Sequence, residues 1–124
     1  MHRSRLLTAL VLAAGLVPTA RGQGNAEFTR KEDVVYGRKY GTALTMDVFT
    51  PKTKPNGKAV ILVVSGGWFS SHDGIPVDYA RVFLNRGYTV FAVVHGSQPR
   101  FTIPEVLTDM NRAVRFIRYH AQDY

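Results

Sequence analysis

The chain has 124 residues, enough for at most one domain, with 45% apolar and 20% charged residues, a balance that excludes disordered and fibrous classes. It contains no cysteine, which excludes a disulfide framework, a thiol nucleophile and a cysteine-ligated metal. The formal charge is +7, but three of the 16 basic residues, Arg3, Arg5 and Arg21, lie before residue 23; without them 13 face nine acidic residues and the charge is +4. The remaining basic residues are scattered through loops and along the outer side of one helix (Arg112, Arg115, Arg118). No basic patch with interleaved aromatics points to nucleic acid.

In chain order, residues 1–22 read as a signal peptide. His2, Arg3 and Arg5 precede an apolar run from Leu6 to Val17, and Ala20 and Gly22 provide a small-x-small cleavage site. The apolar run is short for a bilayer span, so no membrane association is expected after cleavage. Residues 23–31 are polar and without period, a mobile lead-in. Glu32 to Arg38 and Ala43 to Phe49 have strand character and are joined through Lys39-Tyr40-Gly41-Thr42. Leu44, Met46 and Val48 alternate with Thr45, Asp47 and Phe49, which predicts an antiparallel hairpin with one wet face. Residues 50–58, with two prolines, Asn-Gly and three lysines, predict an exposed loop.

Ala59 to Val64 is a run of six apolar, mostly β-branched residues, the pattern of a parallel strand buried on both faces. It stops at Ser65-Gly66-Gly67-Trp68. Pro76 to Arg86 has apolar residues at helical spacing, with Gly87 just past its end. Tyr88 to Val94 is a second β-rich run, so residues 59–94 predict a right-handed βαβ unit. Ligands of such sheets sit beyond the carboxyl ends of the strands, where Gly66-Gly67 and His95-Gly96-Ser97 fall. Ile103 to Gln122 then predicts a long amphipathic helix capped by Thr102.

Three readings are open for the glycine pair. Taken alone it is a tight strand-to-loop turn. Phosphate binding requires G-x-G-x-x-G or G-x-x-x-x-G-K-[ST], and neither a third glycine nor a lysine is in place. An oxyanion loop requires main-chain N–H groups beside a bulky residue, and Trp68 and Phe69 supply the bulk.

The order of these elements resembles the N-terminal half of an α/β-hydrolase, in the secreted carboxylesterase, lipase and feruloyl-esterase-like branch (BD-FAE-like). The resemblance rests on Leu44-Thr45-Met46-Asp47-Val48-Phe49-Thr50-Pro51, Val63-Val64-Ser65-Gly66-Gly67-Trp68, Arg86-Gly87-Tyr88-Thr89-Val90, and Asp109 with Ala113 to Arg118. It covers residues 32–124 and implies an incomplete α/β-hydrolase sheet: an antiparallel hairpin, a parallel βαβ unit and a long amphipathic helix. It also implies an oxyanion hole built from the backbone N–H groups of Gly67 and Trp68, supported by Gly66, with His95 and Ser97 on the pocket rim. Its substrate would be a small-molecule ester, with no cofactor and no metal. The sequence departs from the family at Ser65, where a histidine usually stands, and at His95-Gly96-Ser97, where many relatives carry Tyr-Arg.

The nucleophile of such folds sits in a G-x-S-x-G elbow. None of Ser4, Ser65, Ser70, Ser71 and Ser97 lies in that frame. His72, His95, His120, Ser97, Asp73, Asp78 and Asp109 are the residues from which a triad would have to be drawn, and none of the triad is expected to be present. His72-Asp73 is expected to be a loop and helix-entry pair, and Asp109 to hydrogen-bond loop backbone. The sequence therefore predicts a truncated ester hydrolase, inactive as given. The alternative is a short secreted binding module that completes its sheet by dimerisation.

Overall fold

The computed structural model describes residues 27–124; the expected signal peptide and residues 23–26 of the lead-in lie outside them, whereas residues 28–31, expected to be mobile, are the start of the first strand because they pair with residues 48–51. Four strands, β1 (Phe28–Lys39), β2 (Thr42–Pro51), β3 (Ala59–Val64) and β4 (Thr89–Val94), form one sheet in the order β1-β2-β4-β3. Strands β1/β2 and β2/β4 are antiparallel, and β3/β4 are parallel. Helix α1 (Val77–Leu84) makes the crossover from β3 to β4, and α2 (Ile103–Tyr119) follows β4. A two-residue turn joins β1 to β2, with Tyr40 and Gly41 at φ of 51° and 71°. These values suit a type I′ hairpin and the twist of its strands.

Each sheet face carries its own core. On one side Met46, Val48, Phe91 and Val93 pack with Val106, Ala113 and Ile117 of α2. On the other, Phe49, Val90, Ala92 and Val64 pack with Ala80 and Leu84 of α1. The alternation along β4, with Phe91 and Val93 on one side and Val90 and Ala92 on the other, is the period of two expected of a strand covered twice.

Two expectations are corrected. The hairpin does not have one wet face, because β2 is an interior strand: Asp47 and Phe49, assigned to solvent, are both 0% exposed. Strand β3 is not buried on both faces, because it is the sheet edge. Its Val63 is 54% exposed and only Val64 is fully buried. The doubly covered strand is β4, whose central four residues are all buried.

Helix α2 also differs in phase from its apolar pattern. Ile103 and Leu107 are exposed, and Asp109 is the inward residue of that turn. Neither Asp109 carboxylate oxygen has a hydrogen-bond partner among the described residues. Lys39 Nζ at 3.7 Å and Arg112 Nη1 at 3.9 Å supply charge only. The expected Asp109-to-backbone bond is not made. Burial, reinforced by the Asp109 charge, raises the Tyr36 hydroxyl above its ordinary range. The phenol accordingly stays neutral and donates to the Val94 carbonyl at 2.9 Å.

Candidate active site

Strand β3 delivers Gly66 to the carboxyl edge of the sheet, and Gly66 to Phe69 close on themselves. The Gly66 N–H donates to the Phe69 carbonyl at 2.8 Å, and the Phe69 N–H returns to the Gly66 carbonyl at 3.0 Å. The two central residues, Gly67 and Trp68, have φ of 57° and 67°. Gly67 adopts this left-handed conformation freely, whereas in Trp68 it costs roughly 1–2 kcal/mol. A turn of this kind points its two central N–H groups outward. Among the described residues neither the Gly67 nor the Trp68 N–H has an acceptor. The loop is thus a tight turn, and that same turn presents two adjacent unpaired main-chain donors.

The loop after β4 holds this turn from behind. Gln98 Nε2 donates to the Gly67 carbonyl at 3.0 Å, and the Gln98 N–H to the Trp68 carbonyl at 3.3 Å. Beside it, the Ser70 N–H donates to Ser97 Oγ at 2.9 Å, and Ser97 Oγ donates to the Ser70 carbonyl at 3.3 Å. The Ser70 hydroxyl donates to the Val64 carbonyl and accepts the His95 N–H at 3.1 Å. The side chains of Ser70, Ser97 and Gln98, with the main-chain groups they meet, therefore lock the carboxyl ends of β3 and β4 together.

Two open cavities flank this lock. One, of about 380 Å³, is lined by Val64, Ser65, Gly66 and Phe69; the other, of about 390 Å³, by Leu44, Thr45, His72, His95 and Phe101. Ser70, Ser71 and Ser97 line both. His95 is 4% exposed and its Nδ1 lies 2.8 Å from its neighbour's Gly96 carbonyl. Ser97 and His95 share a groove wall but not a hydrogen bond. The serine hydroxyl is occupied by Ser70, so no serine–histidine pair forms among the described residues.

His72, on the wall of the second cavity, sits in a three-residue helical turn ahead of α1. Its Nδ1 faces Asp47 Oδ1 at 3.0 Å, and its Nε2 lies 2.8 Å from Thr45 Oγ1 and 3.3 Å from Asp33 Oδ1. Arg30 closes the other Asp47 oxygen, with Nε at 2.8 Å and Nη2 at 2.5 Å. Asp33, Asp47 and His72 offer three ligand-type atoms within 4.8 Å of one another. A cation would have to share Asp47 with the guanidinium already on it, so the donor set fits a buried ionic hub better than a metal.

Sequence reasoning placed Gly66, Gly67, Trp68, His95 and Ser97 at one end of the sheet, and the structure brings them there. It missed Ser70 and Gln98, whose partners lie 27 and 31 residues away in sequence. Their only signal was position, each a few residues beyond one of two adjacent parallel strands. His120 and Asp78 are far from the groove: His120 pairs with Asp123 at 3.0 Å at the end of α2, and Asp78 with Arg81 at 3.4 Å on α1.

The BD-FAE family model matches residues 46–124, more than half of the chain. The chain belongs to the BD-FAE family. This BD-FAE chain is also similar to solved esterases. Against Esterase B from Lactobacillus Rhamnosis the TM-score is 0.64 at 18% identity, covering 78% of this chain and 32% of that one. Against a truncated carbohydrate esterase from gut microbiota the TM-score is 0.70 at 22% identity, covering 81% and 36%. Against Thermogutta terrifontis esterase 2, phosphoramylated by tabun, it is 0.62 at 21% identity, covering 77% and 37%. The likeness establishes a partial α/β-hydrolase fold, and the chain spans about a third of the length of these proteins. No curated relative matches the sequence.

Proposed function

We propose that this chain is the oxyanion-hole portion of a secreted carboxylic ester hydrolase, and that it lacks the nucleophile, acid and base needed to turn over an ester by itself. The observation that carries this reading is the pair of N–H groups on Gly67 and Trp68, without acceptors among the described residues, in a turn whose flanking Gly66 and Phe69 line a groove. An ester carbonyl under attack becomes a tetrahedral oxyanion. Two donors fixed beforehand stabilise that charge, each typically worth about 3 kcal/mol of barrier. Gly66 supports the turn, and His95 and Ser97 form the rim on which a small ester would rest. Ser97 cannot act as the nucleophile while Ser70 holds its hydroxyl and no imidazole of the described residues reaches it.

The test is hydrolysis of p-nitrophenyl butyrate by the purified chain. The expected result is no turnover above buffer. Turnover that disappears in Ser97→Ala would overturn the assignment of Ser97 to the rim. A reading frame continuing beyond the Tyr124 codon into a G-x-S-x-G elbow would supply the missing nucleophile.

A second reading, a small-molecule-binding module that dimerises, draws on the open edge of β3, where Val63 is 54% exposed. A monodisperse dimer in solution, with no continuing frame, would favour it.

A further inference from the structure

We propose that Gln98 is a positioning residue for the oxyanion loop: its side-chain amide sets the peptide between Gly67 and Trp68 so that the Trp68 N–H points out of the turn, open to a ligand. This deepens, and rests on, the reading of Gly67 and Trp68 as oxyanion donors. A trans peptide points its C=O and N–H in opposite directions. The Gly67 carbonyl and the Trp68 N–H belong to one such plane, so holding the carbonyl from behind aims the N–H outward. Gln98 Nε2 holds that carbonyl at 3.0 Å.

The neighbouring planes are fixed independently. The Gly66 carbonyl accepts the Phe69 N–H at 3.0 Å, which turns the Gly67 N–H outward. The Trp68 carbonyl accepts the Gln98 main-chain N–H at 3.3 Å. Of the three planes in the turn, only the one carrying the Trp68 N–H depends on a side chain. It is also the plane leading into a non-glycine residue at φ of 67°, a conformation that relaxes when left unsupported. Donors that must not reorganise as charge develops need such fixing, and Gln98 provides it from the adjacent strand's loop.

The chain has a single tryptophan, so labelling with 15N-tryptophan gives one backbone amide signal, that of Trp68. Titration with butylphosphonate, a tetrahedral anion, is expected to shift this signal in the wild type. Gln98→Met keeps the length of the side chain, removes the donor and adds no charge; the shift is expected to fall at least several-fold, while in a second, uniformly 15N-labelled sample the Val90, Val93, Val94 and Gly96 amides stay where they are in the wild type. Gln98→Glu is expected to lose the shift while ionised and regain it as the introduced carboxyl takes up a proton near its ordinary value of about 4.3.

A Gln98→Met chain that responds like the wild type would overturn the role of Gln98 and leave the oxyanion loop standing. If Gln98→Met does not fold, Gln98→Glu decides: a response independent of pH overturns the proposal. A wild-type Trp68 signal indifferent to the anion overturns the oxyanion reading, and the role of Gln98 with it.

Discussion

Ser70 and Ser97 hydrogen-bond to each other twice, N–H to Oγ at 2.9 Å and Oγ to carbonyl at 3.3 Å, across 27 residues of sequence. The pair ties the loop after β3 to the loop after β4, and it uses the Ser97 hydroxyl, two residues from His95, as a structural link. Removing the Ser97 hydroxyl should therefore act on stability. Ser97→Ala is expected to lower the unfolding free energy by about 1–2 kcal/mol, the usual cost of a partly buried hydrogen-bonded hydroxyl, as read by urea denaturation. A variant as stable as the parent would show that the two loops are held by other contacts.

Asp47 is fully buried, its side chain set between Arg30, His72 and the Asp33 N–H, which donates to Oδ1 at 3.2 Å. Taking away the guanidinium leaves a buried carboxylate short of a partner. Arg30→Ala is expected to cost about 3 kcal/mol, the low end for breaking a buried pair because Arg30 is itself one-third exposed. Lys31→Ala, next to it on β1 and exposed, is expected to cost under about 0.5 kcal/mol. Equal effects would mean that Asp47 is served by water instead.

Glu105 opens α2. Its carboxylate accepts the Thr102 N–H at 2.8 Å and the Thr102 hydroxyl at 2.9 Å, and pairs with Tyr40 and Lys39. These bonds, the Thr102 N–H foremost, lower its pKa from 4.5 to about 2. A carboxyl with a depressed folded pKa binds protons more readily when unfolded. Its contribution is complete above pH 4.5 and drains away as the pH falls towards about 2. Glu105→Gln should flatten that acid limb of the stability profile. An unchanged slope between those two pH values would remove Glu105 from the account.

Strand β3 is an open edge: an apolar parallel strand with one free side and Val63 exposed. Edges of this kind recruit other strands. Much of the chain is expected to go to the pellet on expression, leaving a smaller soluble fraction, and Val63→Lys to raise that soluble fraction several-fold, measured by partition between supernatant and pellet. A soluble parent, or a variant no more soluble than it, would show that the edge is covered.

The elements were legible because their periods are local. The turn formers around Ala59–Val64, the apolar spacing of α1 and the Thr102 cap of α2 each signal within a few residues, and all three elements lie where the sequence put them, within a residue or three at the ends. What could not be read is whatever depends on neighbours across the sheet. Val63 and Val90 sit in equally apolar runs, yet one is half exposed and the other buried, because only the sheet order decides which strand is the edge. Asp47 looked like a solvent residue in an alternating strand. Its burial follows from Arg30 and His72 folding over it, contacts separated by 17 and 25 positions. The candidate site divides the same way: Gly66-Gly67-Trp68 announces itself in sequence, whereas Ser70 and Gln98 carry ordinary side chains whose roles come from strand adjacency.

The order β1-β2-β4-β3 makes the last strand in sequence the keystone of the sheet. A chain leaving a ribosome can zip β1 against β2 as soon as Pro51 is free, but β3 finds no companion among the described strands until Thr89–Val94 has also emerged. For the 30 residues between Val64 and Val94 an apolar strand is homeless. Any cell that makes this protein must shelter Ala59–Val64 over that interval.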